Sequence, residues 1–347
     1  MSRQQPGFIM VMLLFLLSLA IMLSTQLFND GMTQTFFARA SLERKKARSL
    51  AQGGLQLAMS QLSVTLTGSA QQPDQQSRAL LEKILPALNR WQTYELQESV
   101  EGIDGSIKLC IMCEEGKLNL NRLYDFKEKK FLAEGQPHDT KKLLTSLFAG
   151  FKELFGDVDL MTPLEKYLEE RGRPLDDVTD LLAIKEFGTT FKNNIFYNPP
   201  EVVTATTPKR LVWLLDIFTV DRVTVALQPW VLSDSWCAIL GLTRARVDDI
   251  KKREQEVKIW LKEFVASAKW VSGDWDKMLK PLYGKEFSTL PKGSEVAFAS
   301  QFGVQTFSVL SYGSVGAVSQ RMYAIIQRQQ VAEKGSSPFI IKRVYWL

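Results

Sequence analysis

The chain has 347 residues, 45% of them hydrophobic, enough for a packed core beyond a small anchor and too many for wholesale disorder. Its 43 basic and 38 acidic residues are interspersed and leave a formal charge of only +5; this argues against nucleic acid as a partner, because phosphate binding wants a concentrated basic face. A single histidine, His138, leaves almost no room for chemistry that needs a His base or a cluster of His ligands.

The first element is an unbroken uncharged run from Phe8 to Phe28, FIMVMLLFLLSLAIMLSTQLF, behind a short polar leader, Met1 to Gly7, whose one charge is Arg3. At about 1.5 Å per residue the run just spans a bilayer core of about 30 Å. A secretory signal peptide wants a shorter apolar region and a nearby small-x-small site; Ala38-Arg39-Ala40 lies too far downstream. From Thr33 to about Val64 there is no proline, and Phe36, Ala40, Ala47, Ala51, Ala58 and Leu62 recur at spacings of four and seven. Those spacings predict one helical stripe, with Arg39, Arg44, Lys45, Arg48 and Gln52 on the other face. The apolar helix is thus expected to run on into an amphipathic one, with Gly53-Gly54 as a weak point that bends it. A plain anchor leaves this second half unexplained. A prepilin leader, cut after Gly7 so that Phe8 becomes the new N-terminus, accounts for both halves. Arg39, Arg44, Lys45, Lys46 and Arg48 would by the positive-inside rule lie in the cytoplasm; the very short leader sets the opposite orientation, N-terminus in and C-terminus out.

Further along, Gly68 to Ser77 reads as a polar break and Arg78 to Trp91 as a short helix. Ser106 to Cys113 alternates Ile107, Leu109 and Ile111 with Lys108, Cys110 and Met112, a strand entered by a turn at Gly102 to Gly105. Cys110 and Cys113 form a C-x-x-C that lacks the second pair of a zinc site and the strand-to-helix setting of a redox motif. They read as strand cysteines; one disulfide involving Cys237 or either of them stays open, with no pairing readable. The strand leads into EGKLNLNRL, Glu115 to Leu123, whose Asn119 and Asn121 are spaced to cap and orient the chain as it leaves the sheet. From about Leu123 to Tyr283 the pattern turns helical. Thr140 to Phe155 is amphipathic, Pro163 to Arg171 is a second helix, Arg173 to Ile184 a third with Asp180 in it, and Gly241 to Ile250 a fourth capped by Thr243. The tail returns to strands: Gln305 to Tyr312 and Val315 to Arg328 around a Gly313-Ser314 turn, with Phe307, Val309, Tyr323 and Ile325 on core faces, then Pro338 to Leu347.

These features together resemble the K-type minor pseudopilins of type II secretion systems, the general secretion pathway protein K family. EGKLNLNRL is similar to that family's acidic-x-Gly, polar, F/L-N-L-N-x-L step, carried here by Gly116, Leu118, Asn119, Leu120, Asn121 and Leu123. Arg173 to Ile184 and Gly241 to Ile250, with Arg253 after it, are also similar to family helices, whereas VTVALQPWVL (Val223 to Leu232) lacks the family's Asn step. Most pilins carry a Glu at mature position five; here that position is Met12, and the K-type subunit characteristically lacks the Glu.

The resemblance implies an α+β pilin-like fold: a long N-terminal helix packed on an antiparallel sheet, interrupted by a large inserted all-α domain that is helix-hairpin-helix-like. The expected division is leader 1–7, transmembrane helix 8–28, its amphipathic continuation 29–66, pilin domain 78–123 and 286–347, and insertion 124–285. It implies prepilin peptidase cleavage between Gly7 and Phe8, N-methylation at Phe8, and a single-pass inner-membrane protein with its bulk in the periplasm. The expected role is a non-enzymatic one at the tip of the pseudopilus, starting assembly and supporting export, with the I- and J-type minor pseudopilins as partners and secreted substrates or the outer-membrane channel as further contacts. Family members bind calcium through acidic loop residues, but no Asp-x-Asp-x loop occurs here and no ligand is assigned. Helix-hairpin-helix elements elsewhere bind DNA; without paired G-x-G glycines the structural reading stands. Two other classes compete: a bitopic membrane enzyme, which lacks any nucleophile and base constellation, and a minor type IV pilin serving adhesion or DNA uptake, which would normally keep the mature Glu.

Overall fold

A computed structural model describes residues 6–64, 84–85, 87–132, 144–145, 148–151, 155–156, 158–197, 212–221, 227–244, 279–280, 282–286, 289–290, 304–329 and 338–347. The first element, α1, is one continuous helix, Pro6–Val64. Proline at its first position costs nothing because that N–H has no helical partner, and no proline follows until Pro73. The helix does not end or break at Gly53-Gly54.

Five strands form the main sheet in the order β1 (Trp91–Leu96), β2 (Gly105–Cys113), β7 (Thr306–Val315), β8 (Val318–Arg328) and β9 (Phe339–Trp346), every neighbour antiparallel. Between β2 and β7 the chain makes the short strands β3 (Leu118–Asn119), β4 (Tyr124–Asp125), β5 (Lys130–Phe131) and β6 (Phe218–Thr219). Side chains alternate across a strand, so each face of the sheet has its own set. On one face lie Ile107, Leu109, Val309, Ser311 and Gly313, and α1 packs there through Ala47, Leu50, Ala51, Leu55, Ala58, Met59 and Leu62, all buried. Phe36 of the expected stripe is exposed and Ala40 half-buried, so packing begins only near Ala47.

Two glycines set this contact distance. A Cβ on Gly313 would sit 2.1 Å from the Ala47 carbonyl oxygen, and one on Gly54 would sit 2.1 Å from Ser311 Oγ. Gly313 is therefore not the turn glycine expected from its Gly-Ser sequence. β7 continues through Val315, and the hairpin turns at Gly316, which has φ +55°. Likewise Gly54 is a close-approach residue rather than a point of weakness. The helix expected over Arg78 to Trp91 is also corrected at its end, because Trp91 opens β1 and pairs with Cys110; Gly68 to Ser77 lies outside the described residues.

The opposite face carries Cys110, Met112, Ser308, Leu310, Tyr323 and Ile325, also buried. The alternation seen in Ser106 to Cys113 thus does not separate core from surface beyond Leu109, because both faces are covered. What covers the second face is the helical region. The chain quits the sheet after Cys113 through a 3-10 turn, Glu114–Gly116, earlier than the expected boundary near residue 123. β3 then pairs in parallel with β6, outside the main sheet. The helical region contains Met161–Arg171, a 3-10 segment Val178–Ala183, and helices Lys185–Phe191, Leu214–Ile217 and Asp234–Ile239. The helix expected from Arg173 to Ile184 is a 3-10 turn closed by a capping box between Asp177 and Asp180, and α-helix resumes only at Lys185. Leu144, Phe148 and Phe151, described residues of the helix expected from Thr140 to Phe155, are buried with Phe187, Phe191 and Phe218. Residues 245–278, which hold most of the helix expected from Gly241 to Ile250 and Arg253, lie outside the described residues.

Candidate functional site

Two features of this architecture are left over once the core is accounted for: the first half of α1, and a polar joint where the helical region meets the sheet. From Met10 to Arg39 every residue of α1 is exposed, Met12 at 56% and Phe28 at 67%. The stretch is apolar enough to cross a membrane by length and composition. Two of its hydroxyls are satisfied inside the helix: Ser18 Oγ donates to the Phe15 carbonyl at 2.9 Å and Thr25 Oγ1 to the Ile21 carbonyl at 2.8 Å, as an apolar surrounding requires. Gly7 and Phe8 lie in the first turns of the same helix. Met12 presents a thioether where a carboxylate would need a partner. Past Phe37, Arg39, Arg44, Lys45, Lys46 and Arg48 are exposed, and Arg48 stacks over the Trp346 ring of β9 at 4.2 Å.

The joint is built on the EGKLNLNRL segment. Gly116 is obligatory there, since a Cβ would lie 1.8 Å from the Val231 carbonyl oxygen. Leu118, Leu120 and Leu123 are buried. Asn119 Oδ1 accepts from the Asn121 N–H at 3.1 Å and caps the turn Leu120–Leu123. Asn121 reaches across to Leu175, donating to its carbonyl at 2.8 Å and accepting from its N–H at 2.7 Å. So the first Asn shapes the local chain and the second ties it to a loop 54 residues away.

Sequence reasoning missed the charges beside them. Lys117, fully buried, pairs with Glu114 and donates to Ser308 Oγ at 3.0 Å and Tyr323 OH at 2.9 Å. Burial works against its charge, but Glu114, Tyr323 and Asp216 outweigh that and raise its pKa. Glu115 Oε1 accepts from the N–H groups of Gln305 and Thr306, both at 2.9 Å, where the chain re-enters the sheet. Asp216 is fully buried; Oδ2 accepts from the Ser235 N–H at 2.8 Å while Oδ1 has no partner. Burial first, against the pull of Lys117, brings its pKa up to about 6. Further out, Arg343 of β9 holds Asp221 at 2.9 Å and Asp177 at 3.2 Å, and Tyr345 donates to Asp177. The run Glu114-Glu115-Gly116-Lys117 directly after an apolar strand reads as an ordinary charged turn, so no local signal marks these charges as buried.

Cys110, Cys113 and Cys237 are free, buried thiols whose pKa burial pushes up; none of them is disulfide-bonded. Among the described residues no group of three or more His, Cys, Asp or Glu is placed to hold a metal ion.

No protein-family model matches the chain. No curated protein matches it either. Among solved structures, the chain is similar to one from the crystal structure of the GspK-GspI-GspJ complex of the enterotoxigenic Escherichia coli type 2 secretion system, at 15% identity and a TM-score of 0.45, over 89% of this chain and 98% of that one.

Proposed function

We propose that the protein is a membrane-anchored minor pseudopilin of the K type, a structural subunit of a type II secretion pseudopilus. The observation that carries this reading is the division of α1. One unbroken helix has an exposed apolar half long enough to cross a bilayer and a second half buried on an antiparallel sheet. A soluble protein has no use for thirty exposed residues of such composition, and a plain anchor has no need to continue them into the core. A pilin subunit needs both, one half for membrane residence and helix packing and the other to carry the folded head.

Met12 supports a terminal position in the filament. A buried carboxylate there would need the amine of a neighbouring subunit, and a subunit with nothing stacked above it can do without. The helical region, entered after β2 and left before β7, adds bulk at the end of the sheet away from the apolar half of α1. In this reading prepilin peptidase cuts after Gly7, Phe8 becomes a methylated N-terminus, the apolar half lies in the inner membrane and the rest in the periplasm. The I- and J-type minor pseudopilins are the partners, and the subunit starts filament assembly and supports export of folded proteins.

Mass spectrometry of the membrane-extracted protein tests the pathway. The expected mature chain begins at Phe8, and Gly7→Leu abolishes processing; an uncut Met1 or a start near Ser41 would remove the proposal. Deletion of the gene then separates the filaments. Lost secretion with intact pili and adhesion supports the pseudopilus, and the reverse phenotype transfers the protein to a type IV pilus.

A further inference from the structure

Asp216 sits in a one-turn helix, Leu214–Ile217, that runs straight into β6. β6 is the strand that pairs with Leu118 and Asn119, so Asp216 is two residues from the backbone contact joining the two segments. Its side chain is fully buried with Oδ1 bare. A carboxylate in that position lacks half of its usual hydrogen bonds, and the cost of desolvating it falls on the ionised form.

The charges facing it do not compensate. From the segment after β2 comes Lys117, whose ammonium is already held by Glu114. From the helix Asp234–Ile239 comes Asp234, a second negative charge, itself paired to Arg244 at 2.9 Å. Tyr197, Cys110 and Cys237 also face Asp216 and are neutral, their pKa values raised by burial. One ammonium is thus shared between Glu114 and Asp216, with Asp234 close by.

We propose that Asp216 is a proton-operated catch on the joint between the helical region and the sheet, which tightens when Asp216 is protonated and loosens when it is ionised. The direction follows from linkage. The folded-state pKa is about 6, above the unfolded value of about 3.9, so the folded joint binds the proton more tightly. Stability therefore rises as pH falls through 6 and is fully gained near the unfolded value; it is lost as pH rises through 6. Between pH 7.5 and pH 5 the closing equilibrium should shift about tenfold toward the closed joint.

Hydrogen exchange of the full chain in detergent, corrected for the intrinsic exchange rate at each pH, reads this directly. In the native protein the opening of 118–119 and 214–219 is expected to fall about tenfold from pH 7.5 to pH 5, with a midpoint near 6. In Asp216→Asn, which keeps the acceptor for the Ser235 N–H and carries no charge, opening should be low at both pH values. An equal pH dependence in protein and variant overturns the proposal. Should the variant not fold, a flat profile through pH 6 in the native protein alone overturns it.

Discussion

Gly53 and Gly54 are identical neighbours in α1, yet a methyl group would act on them in opposite senses. At Gly53 the nearest atom to an added Cβ is 3.9 Å away, at Ile107 Cδ1. Gly53→Ala should therefore stabilise the protein by about 0.5–1 kcal/mol, the ordinary gain of Ala over Gly in a helix. At Gly54 the Cβ would meet Ser311 Oγ at 2.1 Å and Ile107 Cγ2 at 2.9 Å. Gly54→Ala should cost roughly 1–3 kcal/mol by overpacking. Urea unfolding of the two variants checks the sign of each; equal effects would mean that helix and sheet are not in this close contact. Lys117 is the other decisive residue. Lys117→Met should cost about 3–5 kcal/mol by stranding Glu114, and Glu114→Gln added to it should restore a large part. The double variant distinguishes an unpaired charge from a packing defect, since only the former is relieved.

At the scale of elements, the helical region is tied both to the segment after β2 and to β9, and the charged groups at the two places answer differently to pH. Asn121 joins the segment after β2 to Leu175 by two hydrogen bonds. Asn121→Ala leaves the Leu175 N–H and carbonyl bare and should cost about 1–3 kcal/mol, read as a lower thermal midpoint with the fold unchanged. On β9, burial raises the Asp177 pKa, but Tyr345, the Thr179 N–H and Arg343 outweigh it and hold it below the usual carboxylate range. A depressed native pKa means stability that is present above the unfolded value and lost as pH falls through the native one. Arg343→Gln should lower the unfolding midpoint at pH 7, and the difference from the native protein should fade as acid protonates first Asp221, whose pKa burial raises, and then Asp177, whose pKa is lowered. A constant difference on acidification would locate the effect of Arg343 in packing. Acid thus favours the inner tie through Asp216 and weakens the outer one through Asp177.

For the whole molecule, the exposed half of α1 and the folded body are separable. Buried packing begins at Ala47, preceded only by the half-buried Ala40 and by Glu43, whose carboxylate lies near Gly316. Removal of residues 1–38 should yield a water-soluble protein whose melting temperature shifts by less than about 2 °C, because no core contact is lost. A large drop would mean that the apolar half supports the body. The full chain, by contrast, should need detergent to stay in solution. The body itself is one continuous core spread over both faces of the sheet, and the buried pairs at Lys117 and Asp216 lie inside it.

Local periodicity made much of this legible. The span Phe8 to Phe28, its helical continuation, the strand at Ser106 to Cys113 and the three C-terminal strands all follow from patterns within a few residues. So does the capping role of Asn119, because its partner is Asn121, two positions on. What local pattern could not reveal is which surfaces meet. Gly313 looks like a turn residue beside Ser314 and proves to be the seat of the Ala47 carbonyl, 266 positions earlier in the chain. Cys110 and Met112 look like the outer face of a strand and are buried because a second layer, inserted between β2 and β7, covers them. Lys117 reads as a surface charge until Ser308 and Tyr323, 191 and 206 residues away, close around it. The sequence by itself determined the elements, because helix and strand periods are properties of neighbouring residues. The tertiary structure decided the burial of charges and glycines, because that depends on contacts made across the whole chain.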